Sequence, residues 1–343
     1  MTIIKKIFRI VPVLSILLLC PGLCFGQNDR REARHRNLYR KVAKVDSILL
    51  AKAKVVDYDS LYIEKPLNRW TFTTKGNLSG SFFRAHGSTG SYEGRGRLTS
   101  TNVGTISIGA SYRGLSAGFS INPGSMSGRN KDYEFALTSY SNKYGFDVVY
   151  QKTKTLSGKV RVNGKDVFVD KDMVGMNFLL VNAYYAFNGR RFSYPAAFSQ
   201  NYIQKRSAGS LIAGFTYMGG TTKAGDSKPD GVPDFRIYAG HWGLGMGYGY
   251  NFVLWDKYLL HLSGIPTIVV YNSSNIKIDG KRKYVGTTFP DIMLIGRAAI
   301  VRNFGRKVFV GASLLMNESL FGDRDLDIDH NKWEAHLSVG YRL

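Results

Sequence analysis

Three stretches carry residue types that could do chemistry. Gly114-Leu115-Ser116-Ala117-Gly118 has the glycine-flanked serine of a nucleophile elbow. That chemistry needs a sharp strand-to-helix turn to expose the hydroxyl, whereas Leu115, Ala117, Phe119 and Ile121 continue a two-residue period. The match is a coincidence in a glycine-rich chain. Two acidic stretches resemble calcium loops. "DRDLDIDHNKWE" alternates Asp323, Asp325, Asp327, Asp329 and Asn331 ahead of Glu334, yet Ile328 stands where the tight turn needs glycine. "DSKPDGVPD" offers Asp226, Asp230 and Asp234, interrupted by Lys228. Each supplies half a site, so Asp226, Asp230, Asp234, Asp323, Asp325 and Asp327 are weak metal candidates that serve equally well to solvate a loop. No cofactor motif is present, and no cofactor is expected.

The elements that must position these residues follow from the hydrophobic period. From Arg69 onward large apolar residues fall on every second position. Twelve strands are expected: about 70–83, 103–112, 115–121, 133–139, 146–150, 178–186, 211–217, 241–255, 258–270, 292–300, 308–316 and 333–343. Short turns alternate with longer polar loops at about 86–102, 122–131, 154–173, 220–236, 272–289 and 321–331. The exception is the connection after the sixth strand, which carries "RFSYPAAFSQNYIQKRSAG". Long strands with one apolar face argue against a soluble sandwich, whose strands run about five or six residues. The pattern predicts an all-β fold over 67–343, a transmembrane antiparallel β-barrel of about twelve strands, with both chain ends in the periplasm.

"HWGLGMGYGYNFVLW" is the clearest single strand. Trp242, Leu244, Met246, Tyr248, Tyr250, Phe252 and Leu254 are expected to face lipid, with Trp242 and Trp255 at the two head-group levels. Gly243, Gly245, Gly247, Gly249 and His241 then face the lumen, as does His336, and His261 alternates in the same way. A water-filled pore has no need of four bare positions on one strand. Close approach of another backbone, or tight curvature, does. The N-terminal helix or the segment from Ser193 to Ser210 is expected near these glycines.

The N-terminus reads as a secretory signal peptide over 1–26, with Lys5, Lys6 and Arg9 before a short apolar core. Both cysteines, Cys20 and Cys24, fall inside it, so disulfides and cysteine-bound metals are not expected in the mature chain. Residues 27–66 form a basic segment whose Leu38, Val42, Val45 and Leu49 recur at helical spacing, predicting a short periplasmic amphipathic helix. Over the full chain 47 basic side chains face 25 acidic ones, a net charge of +22. The excess is dispersed instead of forming one stripe, which disfavours nucleic acid and favours anionic lipid head groups or small anionic solutes. The chain ends in Tyr341-Arg342-Leu343, similar to the C-terminal signal by which outer-membrane barrels engage the barrel-assembly machinery.

Tyr194-Pro195-Ala196-Ala197-Phe198-Ser199-Gln200 and its surroundings resemble an uncharacterised family of predicted outer-membrane proteins from Bacteroidota, catalogued as a domain of unknown function. The resemblance runs from about Tyr39 to Leu343 and implies the cell outer membrane and a barrel architecture. It implies no activity. The expected function is a pore, a small-solute channel or a structural envelope component without catalysis. The alternatives are a barrel enzyme acting on lipids, of phospholipase or acyl-transfer type, and a filled barrel acting as a binding scaffold. The lipid enzyme requires Ser, His and Asn grouped at the lipid face, where the alternation places no His–Ser pair.

Overall fold

The computed structural model describes residues 57–66, 70–89, 92–112, 115–121, 123–126, 132–225, 227, 233–286, 290–322 and 326–343. The expected signal peptide over 1–26 and most of the basic segment expected over 27–66 lie outside these residues. Residues 57–110 and 118–343 form one compact unit, treated below; residues 1–56 with 111–117 form another, of which only strand residues are described.

In chain order the elements are β1 (Ile63–Glu64), β2 (Trp70–Thr89), β3 (Tyr92–Thr99), β4 (Val103–Tyr112), β5 (Leu115–Ile121), α1 (Pro123–Met126), β6 (Tyr133–Tyr140), β7 (Tyr144–Thr153), β8 (Ser157–Val162), β9 (Lys165–Val169) and β10 (Val174–Ala186). They continue with α2 (Tyr194–Phe198), β11 (Ile203–Gln204), β12 (Ala208–Ala224), β13 (Phe235–Leu254), β14 (Tyr258–Asn272), β15 (Asn275–Ile278), β16 (Lys281–Tyr284), β17 (Ile292–Phe304), β18 (Val308–Gly322) and β19 (Leu326–Arg342).

Twelve of these strands make the barrel, in the order β10-β12-β13-β14-β17-β18-β19-β2-β4-β5-β6-β7, and β7 pairs back onto β10 from Met176↔Thr153 to Tyr185↔Tyr144. The fold is the expected all-β, antiparallel β-barrel. Its strands are longer than the apolar pattern alone suggests. Three of the expected loops contain hairpin strands: β3 completes a hairpin with β2, while β8–β9 and β15–β16 are hairpins of their own. The reason is that ladder hydrogen bonds need no apolar side chain. Past the apolar belt the outward positions become Arg84, His86, Arg95 and Arg97, which conceals the continuing strand.

At the opposite end the connections are short. The chain termini of the barrel meet there too, with Trp70 N–H donating to Leu343 O at 3.3 Å and Leu343 N–H to Trp70 O at 2.8 Å. The one long connection at this end, residues 187–207, turns inward. Ser193 caps α2 by accepting from Ala196 N–H at 3.3 Å, and all five α2 residues are buried. β11 pairs with β1, so residues 57–65 join the same cap.

The interior is layered. An apolar cluster that includes Leu98, Val149, Phe178, Met218, Ile237, Met293 and Phe321 fills the hairpin end. A second, including Tyr184, Phe192, Tyr194, Phe198, Ile212, Ile265 and Phe309, fills the short-turn end around α2. The glycines of β13 are explained by this filling. A Cβ on Gly245 would stand 2.0 Å from Pro266 O, and one on Gly247 would stand 2.0 Å from Gly264 O. Gly249 is approached instead by Ile212 Cδ1 at 2.9 Å and Phe192 Cζ at 3.1 Å. The close approach therefore comes from the neighbouring strand β14 at two positions, and at the third from Ile212 of β12 together with Phe192 of the inward connection. The helix expected near the N-terminus falls on residues outside those described.

Candidate functional site

Charged residues inserted singly into an apolar alternation must point inward, and several meet across the lumen. Arg297 of β17 donates to Asp147 of β7, with side chains only 2% and 4% exposed. Tyr140 of β6 donates to the other carboxylate oxygen of Asp147. The Arg297 guanidinium carbon lies 5.8–6.0 Å from the ring centres of Tyr140, Tyr184, Tyr194 and Phe198. A buried guanidinium is tolerated here because a carboxylate and four aromatic rings replace its hydration. Nearer the hairpin end, Lys332 of β19 donates to Glu134 of β6 at 2.5 Å, and Ser79 Oγ donates to the same oxygen at 3.0 Å. His336 joins Asn77 through Nδ1 at 2.8 Å and approaches Glu334 at 3.6 Å.

A second network ties α2 to the wall. Asn251 of β13 donates its amide to Ser193 O at 3.0 Å and to Gln204 Oε1 at 2.9 Å. Its carbonyl is left to accept from His261 Nδ1–H at 2.7 Å, so His261 Nε2 accepts from Ser263 Oγ at 3.0 Å. Tyr194 in turn donates its hydroxyl to Ser263 Oγ at 3.1 Å. Nucleophile, base and orienting amide thus stand in relay geometry. Their surroundings are those of a core: His261 and Asn251 are fully buried, and the rings of Phe192, Tyr194 and Phe198 pack 5.0–5.8 Å from the imidazole. Gln204 completes the lock by donating to Arg191 O at 2.6 Å and Arg206 O at 2.9 Å.

The strand that the sequence singled out has two unlike sides. Trp242, Leu244, Met246, Tyr248, Phe252 and Leu254 are exposed and Tyr250 is half-buried, while Gly243, Gly249 and His241 are buried and Gly245 and Gly247 half-buried. His241 accepts or donates through Nε2 to Ser274 Oγ at 3.0 Å and packs on Phe321. His336 is half-buried. Of the metal candidates, Asp226, Asp230, Asp323 and Asp325 lie outside the described residues. Asp234 N–H donates to Asp279 Oδ1 at 3.1 Å, and Asp327 sits opposite His86. Among the described residues no three His, Cys, Asp or Glu side chains converge on a metal position. Ser116 lies within the continuous strand β5.

Asn251, Ser263, Arg297, Asp147, Lys332 and Glu134 were not singled out from sequence. The available signal was parity: Asp147 between Phe146 and Val148, and Arg297 amid Gly296 and Ala298, are charges on the non-lipid side of apolar strands.

The match of a family model, Domain of unknown function (DUF4421), covers residues 57–343. The chain belongs to this family. The matched region begins at Asp57, so the domain includes the 57–65 segment that pairs with β11 as well as every barrel strand. No curated protein matches the family member. Among solved structures it is similar to the outer membrane protease OmpT from Escherichia coli, at 9% identity and a TM-score of 0.43, covering 81% of this chain and 97% of that one. It is also similar to the beta domain of the Bordetella autotransporter BrkA, at 12% identity and a TM-score of 0.30, covering 78% and 99%. A third is the outer membrane protein OprG from Pseudomonas aeruginosa, at 10% identity and a TM-score of 0.27, covering 80% and 97%.

Proposed function

We propose that this protein is an outer-membrane β-barrel with a closed, filled lumen, serving as a structural and binding component of the envelope. The short-turn end faces the periplasm and the hairpin end faces outward. The carrying observation is the Arg297–Asp147 pair, which crosses the lumen between strands on opposite sides of the strand order. On either side of it the interior is occupied by the two apolar clusters and by the paired polar groups Lys332–Glu134 and Asn251–His261. One void, bordered by Phe178, Thr216, Met218, Met293, Asn317 and Lys332, is about 10 Å³, space for at most one water. A larger open cavity of about 950 Å³ is bordered by Asn77, Leu78, Thr105, Ala299, Ser313 and His336. The crossing pair and the buried clusters support a blocked lumen over a through-going pore. Exposed apolar side chains on the outer face, from Trp242 to Leu254 on β13 and from Leu337 to Tyr341 on β19, support lipid contact.

The test is single-channel recording in planar bilayers after refolding. Wild type is expected to give no steady conductance, and Arg297→Ala combined with Asp147→Ala is expected to stay closed because the two clusters and α2 remain. A steady wild-type conductance overturns the reading.

One observation favours a second reading, a lipid acyl hydrolase: the Tyr194–Ser263–His261–Asn251 chain. Ser263 Oγ would attack an ester carbonyl while His261 Nε2 takes its proton. The C–O bond to the alcohol breaks as His261 returns that proton to the departing oxygen, and water then hydrolyses the acyl-Ser263 to release the fatty acid. The chain faces the lumen beneath α2, so this reading also needs α2 to move. Release of fatty acid from labelled phospholipid, abolished by Ser263→Ala in a folded protein, would favour it over the scaffold.

A further inference from the structure

The outward face of β2, β3, β8 and β9 carries its charge unevenly. Residues directly opposite one another in antiparallel strands share a face, about 5 Å apart at Cβ. One row across this sheet reads Asp329, Arg84, Arg97, Lys159 and Phe168. The next row outward reads Asp327, His86, Arg95, Arg161 and Asp166. In that second row Asp166 takes both Arg161 Nε at 2.5 Å and Arg161 Nη2 at 3.0 Å. In the first row one carboxylate, Asp329, stands 3.5 Å from Arg84, leaving Arg97 flanked by cations on both sides. Carboxylates reach the row at its two ends, Asp329 and Glu318 beside Arg84 and Asp166 beside Lys159. Like charges directly opposite each other are destabilising, so the centre of the row at Arg97 is arranged for a further anion.

The position of the row says which anion. On β2 the outward residues run from Phe72 and Leu78, both exposed, to Phe82 and then directly to Arg84. On β19 they run from Tyr341, Val339 and Leu337 to Trp333 and then to Asn331 and Asp329. β7 repeats the step, with Tyr150 followed by exposed Lys152. The aromatic rim of the apolar belt thus ends one position below the cationic row. From Trp70 to Phe82 the strand spans about 40 Å at 3.3 Å per residue, which a tilt of about 45° brings to the height of an outer-membrane apolar band. Arg97 also lies over the Phe82 ring at 4.4 Å, which fixes its guanidinium at this level.

We propose that Arg84, Arg97 and Lys159 bind the phosphate groups of a phosphorylated glycolipid in the outer leaflet, with Phe82 and Phe168 against its acyl chains and sugar. This rests on the membrane reading above. Guanidinium forks suit phosphate oxygens, and three adjacent cations match a doubly phosphorylated disaccharide head group better than a single zwitterionic one.

The experiment uses the full mature chain, refolded in detergent and inserted into phosphatidylcholine vesicles doped with diphosphorylated diglucosamine lipid, with native mass spectrometry reading retained glycolipid. Arg84→Gln, Arg97→Gln and Lys159→Gln combined are expected to weaken retention roughly a hundredfold, as three interfacial cations should. Dephosphorylated glycolipid is expected to be lost from wild type to a similar degree, and millimolar inorganic phosphate is expected not to displace the lipid. Lys277→Gln with Arg282→Gln, on the other hairpin, should leave retention unchanged. Equal retention by the triple variant, by dephosphorylated lipid or equal loss in the control pair overturns the proposal. Heat-modifiable gel migration reports folding independently: a protein that never inserts into vesicles refutes the membrane reading, whereas one that inserts without phosphate preference refutes only this inference.

Discussion

Arg297 on β17 and Asp147 on β7 meet as a buried ion pair, although β10, β12, β13 and β14 separate their strands along the sheet. Only a closed wall brings them together, so the pair reports barrel closure. Removing one partner leaves an uncompensated buried charge, which costs about 3–5 kcal/mol. Arg297→Met or Asp147→Asn alone should lower the urea midpoint of the refolded protein markedly. Arg297→Met with Asp147→Leu should recover much of the loss. Single variants as stable as wild type would refute the cross-lumen pairing.

The glycines of β13 make a sharper packing prediction. Gly245→Ala and Gly247→Ala place a methyl 2.0 Å from backbone oxygens of β14, which cannot move aside without breaking the ladder. Destabilisation of about 1–3 kcal/mol or more is expected for such overpacking. Gly76→Ala is the contrast, since nothing lies within 4 Å of its added Cβ. Gel shifts on heating should separate the two sets; identical behaviour would remove the close approach.

The Gln204 side chain ties two parts of the inward connection together, and Gln204→Ala leaves the Arg191 and Arg206 carbonyls without that donor while the backbone pairing with Ile63 stays. The expected cost is about 1–3 kcal/mol, concentrated locally. Trypsin should then cut faster at Arg190, Arg191, Lys205 or Arg206 while the barrel stays folded. Unchanged cleavage kinetics would mean that the lock lies elsewhere.

The cap has its own pH limit. Burial pushes the Tyr202 phenol up to about 12 from 10.0, with Asp57 and Tyr58 acting in the same direction. The folded cap therefore holds this proton more tightly than the unfolded chain does. Its contribution is complete below pH 10 and is lost as pH rises towards 12. Protease sensitivity of the cap should climb across that window, and Tyr202→Phe should flatten the climb. A Tyr202→Phe profile matching wild type would assign the transition to another group.

The period of two over residues 70–343 was enough to read strands, their faces and the alternation of long and short connections, because burial of an apolar side on one face is written into every second residue. It fell short at the hairpin end. β3 and β16 carry almost no apolar side chains, and β8, β9 and β15 alternate over only four to six residues, as with Val160 and Val162 or Ile276 and Ile278, too short a run to stand out from a polar loop. The candidate site was legible only as isolated residues: His261 was visible as lumenal, but Asn251 lies ten residues earlier and meets it through strand register.

What the sequence determined by itself was which side of each strand is apolar, since side-chain alternation is a local property of extended chain. What only the tertiary structure decided was the content of the lumen. The approach of β14 to Gly245 and Gly247 depends on how two neighbouring strands coil, and the pairing of Arg297 with Asp147 depends on ring closure. Closure fixes distances between residues more than a hundred positions apart, and no local pattern carries them.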